Sequence, residues 1–147
     1  WDLIKNQYNE QKKMIIKVKE IFFDAKGINI LFMSSKEERY KRTVCEAIME
    51  IYKKWNKKIG TSELNRWFSS IWETSSNQKI PGSLKFKYIA QNKTRPPTFN
   101  IYHNKNSKVP KVAKRYIVNR IRDKFGFEGI PIRINLMTSK NPFNKKK

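Results

Sequence analysis

An α+β fold of two layers is what residues 61–147 predict, with helices on one face of a three-stranded sheet. Three observations carry this. Apolar residues recur at helical spacing in two stretches, they alternate with period two in three others, and the order is helix–strand–strand–helix–strand. One sheet face is then apolar and the other polar, so both helices belong on the same face. Ahead of this domain, residues 1–56 read as a helix–strand–helix unit.

In the first unit, Met14, Ile15, Val18, Ile21, Phe22 and Ala25 recur three to four residues apart. They give an amphipathic helix over about 8–25, ended by Gly27. Ile28 to Met33 reads as a short strand. A second helix over about 37–56 places Val44, Ile48, Ile51, Tyr52 and Trp55 on an inner face, with charges outside. Cys45 falls on that apolar side and is expected to be buried. Lys57 to Gly60 breaks the pattern and is read as a linker, 57–60.

In the second unit, Thr61 or Ser62 can cap a helix, because its hydroxyl accepts from a free first-turn amide. Leu64, Trp67, Phe68, Ile71 and Trp72 form its buried stripe. Residues 73–83 read as a loop. From Leu84, alternation puts Phe86, Tyr88 and Ala90 on one face and Lys85, Lys87 and Gln91 on the other. Phe99, Ile101 and His103 alternate with Asn100 and Tyr102 in a second strand. Between the strands, Pro96 and Pro97 cannot both sit inside a ladder, so Arg95-Pro96-Pro97 is a turn or crossing. A helix over about 110–125 opens at Pro110 and buries Ala113, Ile117, Ile121 and Phe125. Gly126 fits its left-handed cap. A last strand over 131–137 turns Ile132, Ile134 and Leu136 inward and Arg133 and Asn135 outward. The domain thus runs 61–138, and 139–147 is a basic tail.

Apolar residues make up 38% of the 147, with nine Phe, four Trp and six Tyr, which suffices for a modest core and excludes wholesale disorder. The formal net charge is +21, unevenly spread: residues 1–60 carry 14 Lys/Arg against 8 Asp/Glu, and 61–147 carry 19 against 4. A lysine-rich coding bias raises the total but does not place the excess. Such a field draws polyanions. Lys111, Lys114, Arg115, Arg122 and Lys124 are assigned to the solvent side of the last helix. Lys85, Lys87 and Arg133 are assigned to the polar sheet face with Tyr102. Cations beside an aromatic suit phosphate pairing and base stacking.

With Cys45 as the only cysteine, no internal disulfide forms, which fits a reducing compartment. The longest apolar run, Ile30 to Met33, is far too short to span a bilayer. Trp1-Asp2 is neither an initiator methionine nor a signal peptide, so the chain reads as a piece of a longer one. Gly126-Phe127-Glu128-Gly129 spells G-x-x-G, the loop that clamps a nucleic-acid backbone in one RNA-binding domain. Here it joins a helix to a strand and carries Glu128, which repels phosphate. A cap at Gly126 and a turn at Gly129 account for it. His103, the only histidine, has no nucleophile or carboxylate pair placed with it, and one His with one Cys is too few for a metal. No catalytic or metal-ligating residue is assigned.

Three blocks occur in order: Thr61-Ser62-Glu63-Leu64-Asn65-Arg66-Trp67-Phe68, Lys93-Thr94-Arg95-Pro96-Pro97-Thr98-Phe99, and Phe125-Gly126-Phe127-Glu128-Gly129-Ile130-Pro131-Ile132-Arg133. Together with Lys114-Arg115-Tyr116-Ile117 and Asn119-Arg120-Ile121-Arg122, they closely resemble the C-terminal KH-like domain of the Der (EngA) family. Those are bacterial ribosome-assembly GTPases with two GTPase domains in tandem. Trp1-Asp2 resembles the end of Asn-Lys-Trp-Asp, the guanine-specificity motif of the second GTPase domain, whose aspartate accepts from the guanine ring N–H and amine. Ser34-Ser35-Lys36 stands where the family has Ser-Ala, a loop that meets the guanine carbonyl through backbone N–H. The resemblance therefore implies a KH-like domain preceded by the helix–strand–helix remnant of a P-loop GTPase domain. It makes Asp2, Ser34, Ser35 and Lys36 guanine-contacting.

No G-x-x-x-x-G-K-[ST] occurs in these residues, so nothing here cradles phosphates, and the fragment is not expected to hydrolyse GTP. By resemblance the longer protein uses GTP and magnesium, while this fragment holds no cofactor of its own. The implied role is assembly of the large ribosomal subunit in the cytoplasm, away from membranes. The implied partners are ribosomal RNA or the subunit precursor, and the protein's own GTPase domains. A free-standing basic RNA-binding module is the other reading of the same residues.

Overall fold

In the computed structural model, residues 1–22, 26–74, 85–104 and 109–138 are described, the side chains of 72–74 excepted. Along the chain come α1 (Gln7–Ile21), α2 (Tyr40–Trp55), α3 (Thr61–Thr74), β1 (Phe86–Thr94), β2 (Pro97–His103), α4 (Lys111–Phe125) and β3 (Arg133–Thr138). The strands form one mixed sheet in the order β1-β2-β3. β1 and β2 are antiparallel and joined by a tight turn, with a cis peptide at Arg95-Pro96. Pro97 opens β2, where a strand tolerates proline. β2 and β3 are parallel, which demands a crossover, and α4 supplies it. The result is the α+β two-layer architecture expected.

The core lies between the sheet and its helices. From α3 come Leu64, Phe68 and Ile71; from the sheet Ile89, Phe99, Ile101 and Ile134; from α4 Ile117, Ile121 and Phe125. Phe99 and Phe127 are both fully buried and meet edge-on at 6.2 Å between centroids. Trp67 is half-buried, edge-on to Phe125 at 5.0 Å. Asn65 explains how α3 grips the edge strand. Its side-chain amide donates to Ile89 O at 2.9 Å and accepts from Ile89 N at 2.9 Å, standing in for a missing strand. Gly126, at φ 69°, caps α4 in the left-handed conformation with its amide on Arg122 O.

Residues 57–60 sit against this domain. Ile59 is buried, its amide donates to Gln91 Oε1 at 2.7 Å, and Gln91 Nε2 donates to Lys57 O at 2.9 Å. Lys57 Nζ reaches Phe125 O at 2.8 Å.

Several sequence expectations are corrected. In β1 the pairing slips between Phe86 and Tyr88. One extra residue there flips the side chains as far as Gln91, and a second slip between Gln91 and Lys93 restores the phase. Ile89 and Gln91 therefore point inward, while Tyr88 and Ala90 face out, the reverse of simple alternation from Leu84. Leu84 itself, most of the expected loop at 73–83, and the tail at 139–147 lie outside the described residues, and α3 runs on through Thr74.

The strand expected at 28–33 forms no ladder with any described residue. A strand needs a neighbour's N–H and C=O groups, and the sheet of this chain is elsewhere. The inner faces expected for α1 and α2 are only partly covered: Ile15, Val18 and Val44 are half-buried, neither helix has a fully buried residue, and Ile21, Ile48 and Tyr52 are exposed. Cys45 is exposed for the same reason. No helix among the described residues is long and apolar enough to cross a membrane.

Candidate functional site

The first cluster lies where the chain start meets residues 32–36. Ser34, only 3% exposed, donates its hydroxyl to Asp2 Oδ1 at 2.6 Å. Lys36 brings its ammonium to 3.6 Å from Asp2 Oδ2, and its amide donates to Ser34 Oγ at 3.3 Å. The Trp1 ring rests on Phe32 at 4.6 Å. The Ser34 hydrogen bond holds the Asp2 carboxyl below its usual value, helped by backbone N–H, the terminal ammonium and Lys36 against some loss of solvent. Asp2, Ser34 and Lys36 are thus brought together, with Ser35 exposed beside them.

The second cluster is α4. Lys111, Lys114, Arg115 and Lys124 are exposed, as the helical spacing predicts. Arg122 is not on the solvent side: it is 2% exposed, with Nη1 donating to Asn119 Oδ1 at 3.1 Å. Its carbonyl accepts the amides of both Gly126 and Phe127, so the chain folds back at this turn. Its position, four residues after half-buried Val118 and three before buried Phe125, borders the buried side of the helix. Arg120 was missed by the sequence reading. It is exposed, its Nε donates to Tyr116 Oη at 3.2 Å, and its guanidinium lies 5.5 Å from the Tyr116 ring centre. The signal was a Tyr and an Arg four apart on one helix.

The third cluster is the outer sheet face. Lys85, Lys87 and Arg133 are all exposed, but the register separates them. Phe86 pairs with His103, whereas Arg133 pairs with Thr98. Thr98 and His103 are five steps of β2 apart, about 16 Å along the strand. Tyr102 stacks with Tyr88 at 4.1 Å and 11° between planes. Loss of solvent, then the hydrogen bond and charge of Tyr102, push the Tyr88 hydroxyl pKa upward.

The Gly126–Gly129 turn faces the first unit. The Gly129 amide donates to Lys26 O at 2.9 Å, and Lys54 Nζ lies 3.8 Å from Glu128 Oε2. A Cβ on Gly129 would stand 2.9 Å from Gly27 O. The turn is a cap and a contact, with its acid already facing a lysine. His103 is buried on the central strand, its ring 6.4 Å from Phe86.

Known proteins match this sequence along nearly the whole chain. A family model described as the KH-domain-like region of EngA bacterial GTPase enzymes, C-terminal, matches residues 58–136. GTPase Der of Rickettsia prowazekii (strain Madrid E) is 38% identical over 97% of this chain and 33% of its own length. GTPase Der of Rickettsia bellii (strain OSU 85-389) is 37% identical over 97% of this chain and 32% of its length. GTPase Der of Rickettsia akari (strain Hartford) is 37% identical over 97% and 33%. The chain spans about a third of the length of these curated relatives. It belongs to the Der (EngA) GTPase family and carries that family's C-terminal KH-like domain.

Proposed function

We propose that this chain is the C-terminal part of a Der-type GTPase acting in assembly of the large ribosomal subunit, with the KH-like domain gripping ribosomal RNA. The observation that carries the reading is the set of exposed cations on α4, Lys111, Lys114 and Arg115 in its first half and Arg120 and Lys124 in its second, where Asp123 is the helix's only acid. An exposed helix surface with that charge pairs phosphates without reading bases. Residues 1–56 form the end of the second GTPase domain in this reading, 57–60 the connection, and 61–138 the RNA-contacting domain. GTP and magnesium act in the longer protein, and the setting is the cytoplasm.

Asp2, Ser34, Ser35 and Lys36 suit the guanine end of the nucleotide. A carboxylate accepts the N–H groups a guanine edge offers, and Ser34 holds Asp2 in place. No step at the phosphates is assigned to this chain, because the P-loop sequence does not occur in it. The same reading gives the apolar sides of α1 and α2 to the protein's own GTPase domains. Ile21 and Ile48 there are 61% and 58% exposed, more than a lone soluble helix pair leaves open.

The test is RNA binding across a salt series. Replacing Lys114→Ala and Arg115→Ala together should weaken binding to ribosomal RNA and flatten the log–log salt dependence by roughly 1.5 to 2. Unchanged affinity and slope would move these charges from RNA contact to docking or solubility.

A further inference from the structure

The outer sheet face is ordered into three rows across the strands, each with its own chemistry. At one level Tyr88 pairs with Tyr102, and Tyr102 with Met137. At the next, Ala90 pairs with Asn100 and Asn100 with Asn135, with Asn135 Nδ2 donating to Asn100 Oδ1 at 3.0 Å. At the third, Lys93 pairs with Thr98 and Thr98 with Arg133. The rows are two β2 residues apart, about 6.6 Å. Tyr88 is 43% and Met137 41% exposed, and Lys93, Asn135 and Arg133 are exposed as well. The helices of the domain lie on the opposite face, with Ile89, Phe99 and Ile101.

We infer that this face binds a single-stranded nucleic-acid segment, with unpaired bases on the tyrosine row and phosphates on the cationic row. The inference rests on the RNA reading above but uses a different face. Aromatic rings offer base stacking only to unpaired nucleotides, because a duplex keeps its base faces to itself. Tyr88 and Tyr102 already stack on each other, so Tyr88, on the edge strand, presents its other ring face outward for a base. The Asn100–Asn135 pair leaves amide donors and an acceptor between the two rows, where base edges would lie. The charge matches: residues 61–147 carry 19 Lys/Arg against 4 Asp/Glu, and no acid stands in the three rows. A protein partner would meet two cations and a stacked aromatic pair without a matching reason for the amide row.

The experiment compares a fluorescein-labelled single-stranded RNA 12-mer of mixed sequence with its duplex, by anisotropy on the whole chain. Tyr88→Leu with Tyr102→Leu should weaken single-strand binding about tenfold, in the range stacking supplies, and leave duplex affinity and both salt slopes unchanged. Arg133→Gln should reduce the single-strand slope by about 0.7. Photocrosslinking of a 5-iodouridine-labelled strand to the unaltered protein guards against misfolding of the leucine variant, and its adducts should map to Tyr88 or Tyr102. Adducts confined to α4, or single-strand binding unchanged in a folded leucine variant, would overturn the inference. A loss from Lys114→Ala with Arg115→Ala but none from the tyrosine pair would leave the α4 reading standing alone. The reverse pattern would leave the sheet face alone.

Discussion

Asp2 and Ser34 are 32 residues apart, yet share one of the shortest hydrogen bonds in the chain, 2.6 Å. That bond is the first cause of the lowered Asp2 pKa. A carboxyl whose folded-state pKa is depressed contributes stability above its unfolded value, here 3.8, and loses it as pH falls through the lower folded value. The contact between the chain start and residues 32–36 should therefore hold at neutral pH and loosen only in strong acid. Ser34→Ala removes the leading cause and should bring the Asp2 titration up toward 3.8, read from its side-chain carboxyl carbon by NMR. An unmoved titration would mean that Lys36 or the terminal ammonium dominates. Single residues were legible where one neighbour decides them. Gly126 as a cap needed only the end of its own helix. Arg122 was not legible, because it stands at the border of the helix's buried side, between half-buried Val118 and buried Phe125, where spacing alone leaves either side open.

The elements of the KH-like domain follow from periodicity: α3, α4, β2 and β3 lie where apolar spacing puts them, with the expected inner faces. β1 does not, because a bulge is an insertion of one residue in pairing and leaves no mark on composition. Its consequence was that Tyr88, which faces outward, read as a core residue. The turn after α4 gives a sharp comparison at this scale. Gly126 and Gly129 both have positive φ, 69° and 72°. A side chain pays about 1–2 kcal/mol to sit there. At Gly126 a Cβ finds open room, its nearest neighbour being Glu128 Oε2 at 3.9 Å, so Gly126→Ala should cost about that much in urea unfolding. At Gly129 the added carbon also meets the backbone oxygen of Gly27 at 2.9 Å. That oxygen cannot rotate away, so Gly129→Ala should push residues 26–28 off the turn. The Gly129 amide, bonded to Lys26 O, should then exchange much faster than in Gly126→Ala. Equal exchange in the two variants would show that the first unit yields at no cost.

The whole molecule is uneven in how it is held. Among the described residues, every buried apolar side chain lies between Ile59 and Ile134, while α1 and α2 contribute none. The sequence pattern of the two helices is amphipathic, but the burial it predicts is not met within this chain. What it could not say is where the covering surface comes from. Local stability tracks buried apolar contact, because an element with little of it opens without unfolding the rest. Among the described residues, two polar links join residues 1–56 to the domain, Gly129 N to Lys26 O and Lys54 to Glu128, and the linker adds Lys57 Nζ to Phe125 O and Gln91 Nε2 to Lys57 O. Lys54 and Glu128 are both partly exposed, and such pairs contribute little, about 0–1 kcal/mol. Amide exchange on dilute monomer should accordingly show α1 and α2 with weak protection. Leu64 in α3, the β2 amides and Ile117 to Ile121 in α4 should be protected up to the global unfolding free energy. Raising the concentration should protect α1 and α2 first if their apolar faces find each other in a second copy. Strong protection of α1 and α2 in a monomer would mean that residues 1–56 hold together without burying their apolar sides. The assignment of those sides to the GTPase domains of a longer chain would then fail.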